Sequence, residues 1–139
     1  MRALGLDIGS KTVGLALTDE ANIAAHPLGV HARLGIAQDV QALAKILHEH
    51  AATDCVYGMP FELSGRVGHR ARRVLELVTA LQAALPAVNF HEQDERFTTA
   101  EAQRVLIEAD VSRARRKDVI DQQAAALILQ AWLARQQTK

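Results

Sequence analysis

Three stretches of this 139-residue chain put an acid where a side chain should face inward: Asp7, the pair Asp94-Glu95, and Asp121. Asp7 lies in Leu4-Gly5-Leu6-Asp7-Ile8-Gly9, where strand alternation sets Leu4, Leu6 and Ile8 on one face and Gly5, Asp7 and Gly9 on the other. A charge on so bare a face needs a partner, because an unpaired buried carboxylate is very costly. Asp94-Glu95 closes an alternating apolar run. Asp121 heads the stripe Asp121, Ala125, Ile128 and Trp132, whose i, i+4, i+7 spacing marks one face of a helix. If that helix packs on the small-residue face, Asp7 and Asp121 must approach each other. Converging carboxylates repel unless divalent cations sit between them, and oxygen-only ligation is the preference of Mg²⁺ or Mn²⁺. The chemistry suited to such a site is in-line hydrolysis of a phosphodiester by two metals about 3.5–4 Å apart, one activating water and one stabilising the leaving oxygen. Each acid also has a plainer use. Asp7 would cap the amides of its own turn, Asp121 would favour a helix N-terminus, and Glu95 would bridge to Arg96 or Arg116 at the surface.

The strand bearing Asp7 pairs by pattern with a second strand across a tight turn at Gly9-Ser10-Lys11. In that second strand Val13, Leu15 and Leu17 oppose Gly14, Ala16 and Thr18. A third, less regular strand over residues 23–30 is interrupted by His26-Pro27, which predicts an edge or a bulge. Ile36, Val40, Leu43 and Leu47 recur at helical spacing. Asp54-Cys55-Val56-Tyr57-Gly58 reads as a short buried strand that stops at Met59-Pro60. A long helix follows, with Val67, Ala71, Val74, Val78, Leu81 and Leu85 along one side and Pro86 at its end. A fifth strand runs from Ala87 through Glu92 toward Asp94 and Glu95. Thr98-Thr99-Ala100-Glu101 has the form of a capping box and predicts a helix from Thr98 to about Ala109. Residues 113–117 read as a basic loop, and Asp118 as the N-cap of the last helix, with Asp121 in its first turn. Three meandering strands followed by alternating helices and strands predict a single α/β domain over residues 1–139, a five-stranded mixed sheet flanked by helices.

The basic residues cluster twice. Arg66, Arg70 and Arg73 form a stripe at the start of the long helix, and Arg113, Arg115, Arg116 and Lys117 precede Asp121. With Lys11 in the hairpin turn, Arg66, Arg70 and the second cluster are the candidates for holding nucleic-acid phosphates. Any such binding must come from local clustering, because 16 Lys plus Arg balance 16 Asp plus Glu. One cysteine excludes a disulfide scaffold and a Cys-based zinc site, and its place in the apolar run at Cys55 fits a reducing cytoplasm. The six histidines show no metal-ligand spacing. No stretch approaches the roughly 18 apolar residues of a membrane span, so the expectation is a cytoplasmic protein without membrane contact.

Together these residues resemble the YqgF (RuvX) family. The resemblance rests on Gly5-Leu6-Asp7-Ile8-Gly9-Ser10-Lys11-Thr12-Val13-Gly14, on Tyr57-Gly58-Met59-Pro60 with Gly65 and Gly68, on Asp94-Glu95-Arg96-Phe97-Thr98-Thr99, and on Arg116-Lys117 running into Asp121. These motifs span residues 5–133 in the family's order and spacing. The resemblance implies a ribonuclease H-like fold and a metal-dependent nuclease, assigned to maturing the 5′ end of pre-16S ribosomal RNA and in some members to resolving Holliday junctions. By position, Asp7, Glu95 and Asp121 take the family's acidic, metal-holding roles, with Asp94 as a neighbour. Many ribonuclease H-like nucleases carry an acid at the end of the fourth strand. Here that strand ends Tyr57-Gly58-Met59-Pro60, and Glu62 lies beyond it in the loop.

Two rivals remain. Asp7-x-Gly9-x-x-x-x-Gly14 also resembles the first phosphate loop of actin-like ATPases and sugar kinases, but those enclose nucleotide between two such domains and this chain supplies one; it also lacks a P-loop. A non-catalytic RNA-binding module would need aromatic residues for base stacking, and only 4% of the chain is aromatic. Junction resolution requires paired cuts and hence a two-fold dimer. No broad aromatic or apolar patch is evident for one, so the expectation is a monomer or weak homodimer trimming RNA.

Overall fold

The computed structural model describes residues 2–62, 64–94 and 113–137, with 113–118 and 137 as backbone alone. Its elements are β1 (Arg2–Ile8), β2 (Thr12–Thr18), β3 (Ala25–Ala32), α1 (Ile36–Glu49), β4 (Ala52–Met59), α2 (His69–Ala84), β5 (Asn89–Asp94) and α3 (Arg113–Gln137). The strands form one five-stranded sheet in the order β3-β2-β1-β4-β5. β1 pairs antiparallel with β2 and β2 with β3, whereas β1–β4 and β4–β5 are parallel. This is the mixed α/β sheet expected, in a ribonuclease H-like arrangement.

Register decides what each face carries. Leu4 lies opposite Leu17, Leu6 opposite Leu15 and Ile8 opposite Val13, so the large aliphatics of the hairpin share one face. There they join Leu43 and Leu47 of α1 and Ala71, Val74, Leu77, Val78 and Leu81 of α2 in the larger core. The other face offers Ala3, Ala16 and Val56, covered by Ala125, Ile128, Leu129 and Trp132 of α3. Ala125, Ile128 and Trp132 are the predicted inward stripe, and all three are buried.

The interruption at His26-Pro27 is both an edge and a bulge. β3 closes the sheet on one side, and its register jumps from Leu15–Gly29 to Ala16–Pro27, leaving Leu28 as the extra residue.

Two expectations are corrected. α2 begins at His69, so Arg66 and Val67 precede it, and Val67 is exposed. Gly65, with φ of 87°, and the N-cap Gly68 break the pattern there. Residues 113–117 are not a loop but the opening turns of α3, and Asp118 lies inside that helix. Alanine, arginine and lysine are among the best helix formers, so a dense run of charge does not by itself break a helix. The helix expected over 98–109 lies outside the described residues.

Candidate active site

The small-residue face of the hairpin lets α3 come down to backbone contact. A Cβ on Gly5 would stand 2.9 Å from Leu129 Cβ and 3.0 Å from the Ala125 carbonyl oxygen. A Cβ on Gly14 would collide with the carbonyl of Asp121 and lie 3.2 Å from its Cα. Gly14 is the cross-strand partner of Asp7. The helix therefore crosses β2 at the one position that sets Asp121 beside the strand pair bearing Asp7. Both residues are half-buried. Asp121 is oriented from the sheet, because Thr12 Oγ1 donates to its Oδ2 at 2.7 Å. A hydroxyl-to-carboxylate bond of that length is charge-assisted and stronger than a neutral one.

A second polar network sits on the outer side of the β1–β2 turn. The turn is closed by the Gly9 amide donating to the Thr12 carbonyl at 2.8 Å. Asp39, in the first turn of α1, is fully buried. Its Oδ1 accepts from the Leu34 amide and meets His31 Nε2, both at 2.9 Å, and its Oδ2 accepts from Arg33 Nε at 2.7 Å. Burial works to raise the Asp39 carboxyl, but the Leu34 amide, Arg33 and His31 outweigh it and hold the group at about 2. Cys55 is the reverse case: burial, with the charge of Asp54 behind it, pushes its thiol up to about 12 and leaves it inert.

The remaining candidates are dispersed. Lys11 is exposed in the hairpin turn, Arg66 is exposed before α2, and Arg70 is exposed in the first turn of α2. With Arg66 outside the helix, Arg66, Arg70 and Arg73 are not one helical stripe. Arg113, Arg115, Arg116 and Lys117 stand in the first turns of α3, their side chains outside the described residues. Glu95 is outside them as well. Asp94 pairs with Met59 and alternates with Phe90, which packs into the α1–α2 core; that face is opposite to the one carrying Asp7. Among the described residues, no three His, Cys, Asp or Glu side chains are grouped to hold a metal. Sequence reasoning missed Thr12, Arg33 and Asp39, whose partners are set by tertiary docking.

A family model described as RuvX, Holliday junction resolvase, matches residues 1–135. A Myxococcus xanthus protein named pre-16S rRNA nuclease is 43% identical over 133 residues, covering 96% of this chain and 87% of its own length. A Thermoanaerobacter pseudethanolicus protein of the same name is 41% identical and matches along 100% of both chains. Among solved structures, Thermus thermophilus RuvC in complex with a Holliday junction superposes with a TM-score of 0.64 at 18% identity, covering 99% of this chain and 97% of that one. The fowlpox virus resolvase with its junction DNA gives 0.61 at 9% identity, over 98% and 99%.

Proposed function

The chain belongs to the RuvX family of nucleases, and on that premise we propose that it acts on the 5′ end of pre-16S ribosomal RNA with a divalent cation as cofactor. The observation that carries the reading is the contact of Asp121 with Gly14, because Gly14 is paired with Asp7 and nothing larger than glycine would admit the helix there. A fold that needed α3 only as cover would have no use for a carboxylate on each side of that contact.

The donor set fits a hard cation. Asp7 and Asp121 would supply carboxylate oxygens, and the Thr12 hydroxyl orients Asp121 through its Oδ2. Glu95 supplies the third carboxylate in this reading. When bound, the cation supplies positive charge to the phosphate and to the attacking water. The protein's own part is to hold the two acids in fixed register across Gly14 and to orient one of them. Phosphate affinity away from the cut is assigned to Lys11, Arg66, Arg70 and the basic turns of α3. Replacing Arg115 and Arg116 together by alanine should flatten the slope of log affinity against log salt by up to about two units.

The compartment follows from the substrate. A ribosomal RNA precursor is cytoplasmic in bacteria, Cys55 is a buried free thiol, and no helix among the described residues is long and apolar enough to cross a membrane. Trimming one RNA end needs a single site, so a monomer or weak dimer suffices. Junction resolution is the second reading, favoured by the family's description, and it requires two sites on a two-fold axis.

The test offers purified protein a labelled pre-16S 5′ leader and a labelled four-way DNA junction, each with Mg²⁺ or Mn²⁺. Cleavage of the RNA alone is expected. Asp7→Asn, Glu95→Gln and Asp121→Asn should each lose several orders of magnitude in rate while staying folded. Symmetric paired cuts in the junction by a stable dimer would replace the RNA reading, and a near-wild-type Glu95→Gln would remove Glu95 from the site.

A further inference from the structure

The turn joining β1 to β2 is gripped at both of its ends by one residue. The Arg33 amide donates to the Lys11 carbonyl at 2.8 Å, and Arg33 Nη1 donates to the Gly9 carbonyl at 2.9 Å. Through Nε the same guanidinium is held by Asp39, itself fixed by His31 and the Leu34 amide. A planar fork held at two edges has little rotational freedom left, so the Gly9 carbonyl is tied to α1 rather than to water. Both ends of this clamp finish next to the proposed metal-holding groups. Gly9 is two residues from Asp7, and Lys11 adjoins Thr12, whose hydroxyl turns Asp121. The Arg33 side chain is only 12% exposed, and burying an ion pair is a poor way to gain stability, since apolar packing of the same volume often does as well. The placement of the pair, not its energy, is what needs explaining.

We propose that Arg33, locked by Asp39, is a positioning residue for the nuclease site: it fixes residues 9–11 so that Asp7 and the Thr12–Asp121 pair hold one geometry. The activity readout rests on the nuclease reading above; the other readouts do not. Arg33 has one rival use. With Ser10, Gly35, Ile36, Arg73 and Glu76 it lines an open groove of about 360 Å³ against the same turn, where it would touch a substrate phosphate directly.

Arg33→Lys keeps a positive charge beside Asp39, but a single ammonium cannot also reach Gly9 in the fork's geometry. Its melting temperature should stay within a few degrees of wild type. The Gly9 amide should exchange with solvent at least about tenfold faster, and Mn²⁺ affinity by calorimetry should fall by about tenfold, as for loss of a group that orients a ligand. On the RNA leader, kcat should fall by about 10–100-fold with KM little changed. His91→Gln, which breaks a part-buried pair with Asp54 away from the turn, should lower stability and leave all three readouts alone. Unchanged exchange and Mn²⁺ affinity in Arg33→Lys would reduce Arg33 to a structural residue and overturn the proposal. A raised KM with kcat, exchange and Mn²⁺ affinity at wild-type values would assign Arg33 to the groove, and overturn it equally. If Arg33→Lys does not fold, Arg33→Gln is read by the same measurements; failure of both to fold makes Arg33 a stability element and ends the proposal. Should wild type cleave no substrate at all, the exchange and Mn²⁺ measurements still judge the clamp, and the nuclease reading falls alone.

Discussion

Asp39 with Arg33, and Thr12 with Asp121, respond differently to change. Asp39 is held at about 2 against an ordinary 3.8. Its folded-state value is the lower one, so between the two the unfolded chain binds more protons. The stability it supplies is therefore complete above about pH 4 and is lost as pH falls toward 2. It amounts to about 2 kcal/mol. Asp39→Asn should cost more than that at pH 7, about 3–5 kcal/mol, because the Arg33 charge is left buried with no counter-charge. The drop in urea-unfolding stability between pH 6 and pH 3 should also shrink by about 1 kcal/mol in the variant. An unaltered pH profile would mean that Asp39 is not the group titrating. In the proposed site, Thr12 would act on chemistry rather than on stability. Thr12→Val removes the donor to Asp121 Oδ2 while keeping shape, so the cleavage rate or metal affinity should fall about 10–100-fold, with little change in melting temperature.

Among the elements, the decisive contact is α3 on β2. Gly14→Ala forces a methyl into the Asp121 carbonyl, and backbone cannot swing aside as a side chain can. The helix must shift, at a cost of about 1–3 kcal/mol, and the rate should fall with it because Asp121 moves. Gly29→Ala is the matched control: nothing lies within 4 Å of its Cβ position, so stability should stay within about 0.5 kcal/mol. Unfolding curves and cleavage rates for the pair separate a site defect from a general glycine effect. This contact was legible in the sequence. Alternation in the hairpin and the stripe Asp121, Ala125, Ile128, Trp132 each specify a face, and a face of glycine and alanine invites close approach. Residues 113–117 carry the charge density of a loop but have high helix propensity, and propensity wins. Thr12–Asp121, 109 residues apart, follows from docking and has no local pattern to announce it. Asp39 reads in sequence as an ordinary acid in the first turn of a helix, and only the return of β3 brings His31 and Arg33 to it.

At the scale of the whole molecule the two layers differ in kind. The α1–α2 side is packed with large aliphatics from sheet and helices alike, whereas on the α3 side the sheet offers small residues to the larger side chains of the helix, and the proposed metal-holding acids Asp7 and Asp121 belong to that side. The second layer should therefore hold the molecule's metal-linked stability, and that is testable without any substrate. If the proposed site brings the Asp7 and Asp121 carboxylates together, their repulsion is stored in the native state and relieved on unfolding. Asp7→Asn should then stabilise the apo protein by about 1–2 kcal/mol, as commonly happens when active-site charge is removed. Mg²⁺ or Mn²⁺ should stabilise the wild-type native state by mass action, by about 2.7 kcal/mol at a hundredfold excess over Kd, and so raise its melting temperature. The variant should gain much less. If Asp7 served only to cap its own turn, the signs would reverse: Asp7→Asn would be neutral or destabilising, and metal would leave both melts alone. Thermal melts of the two proteins, with and without metal, decide between these outcomes.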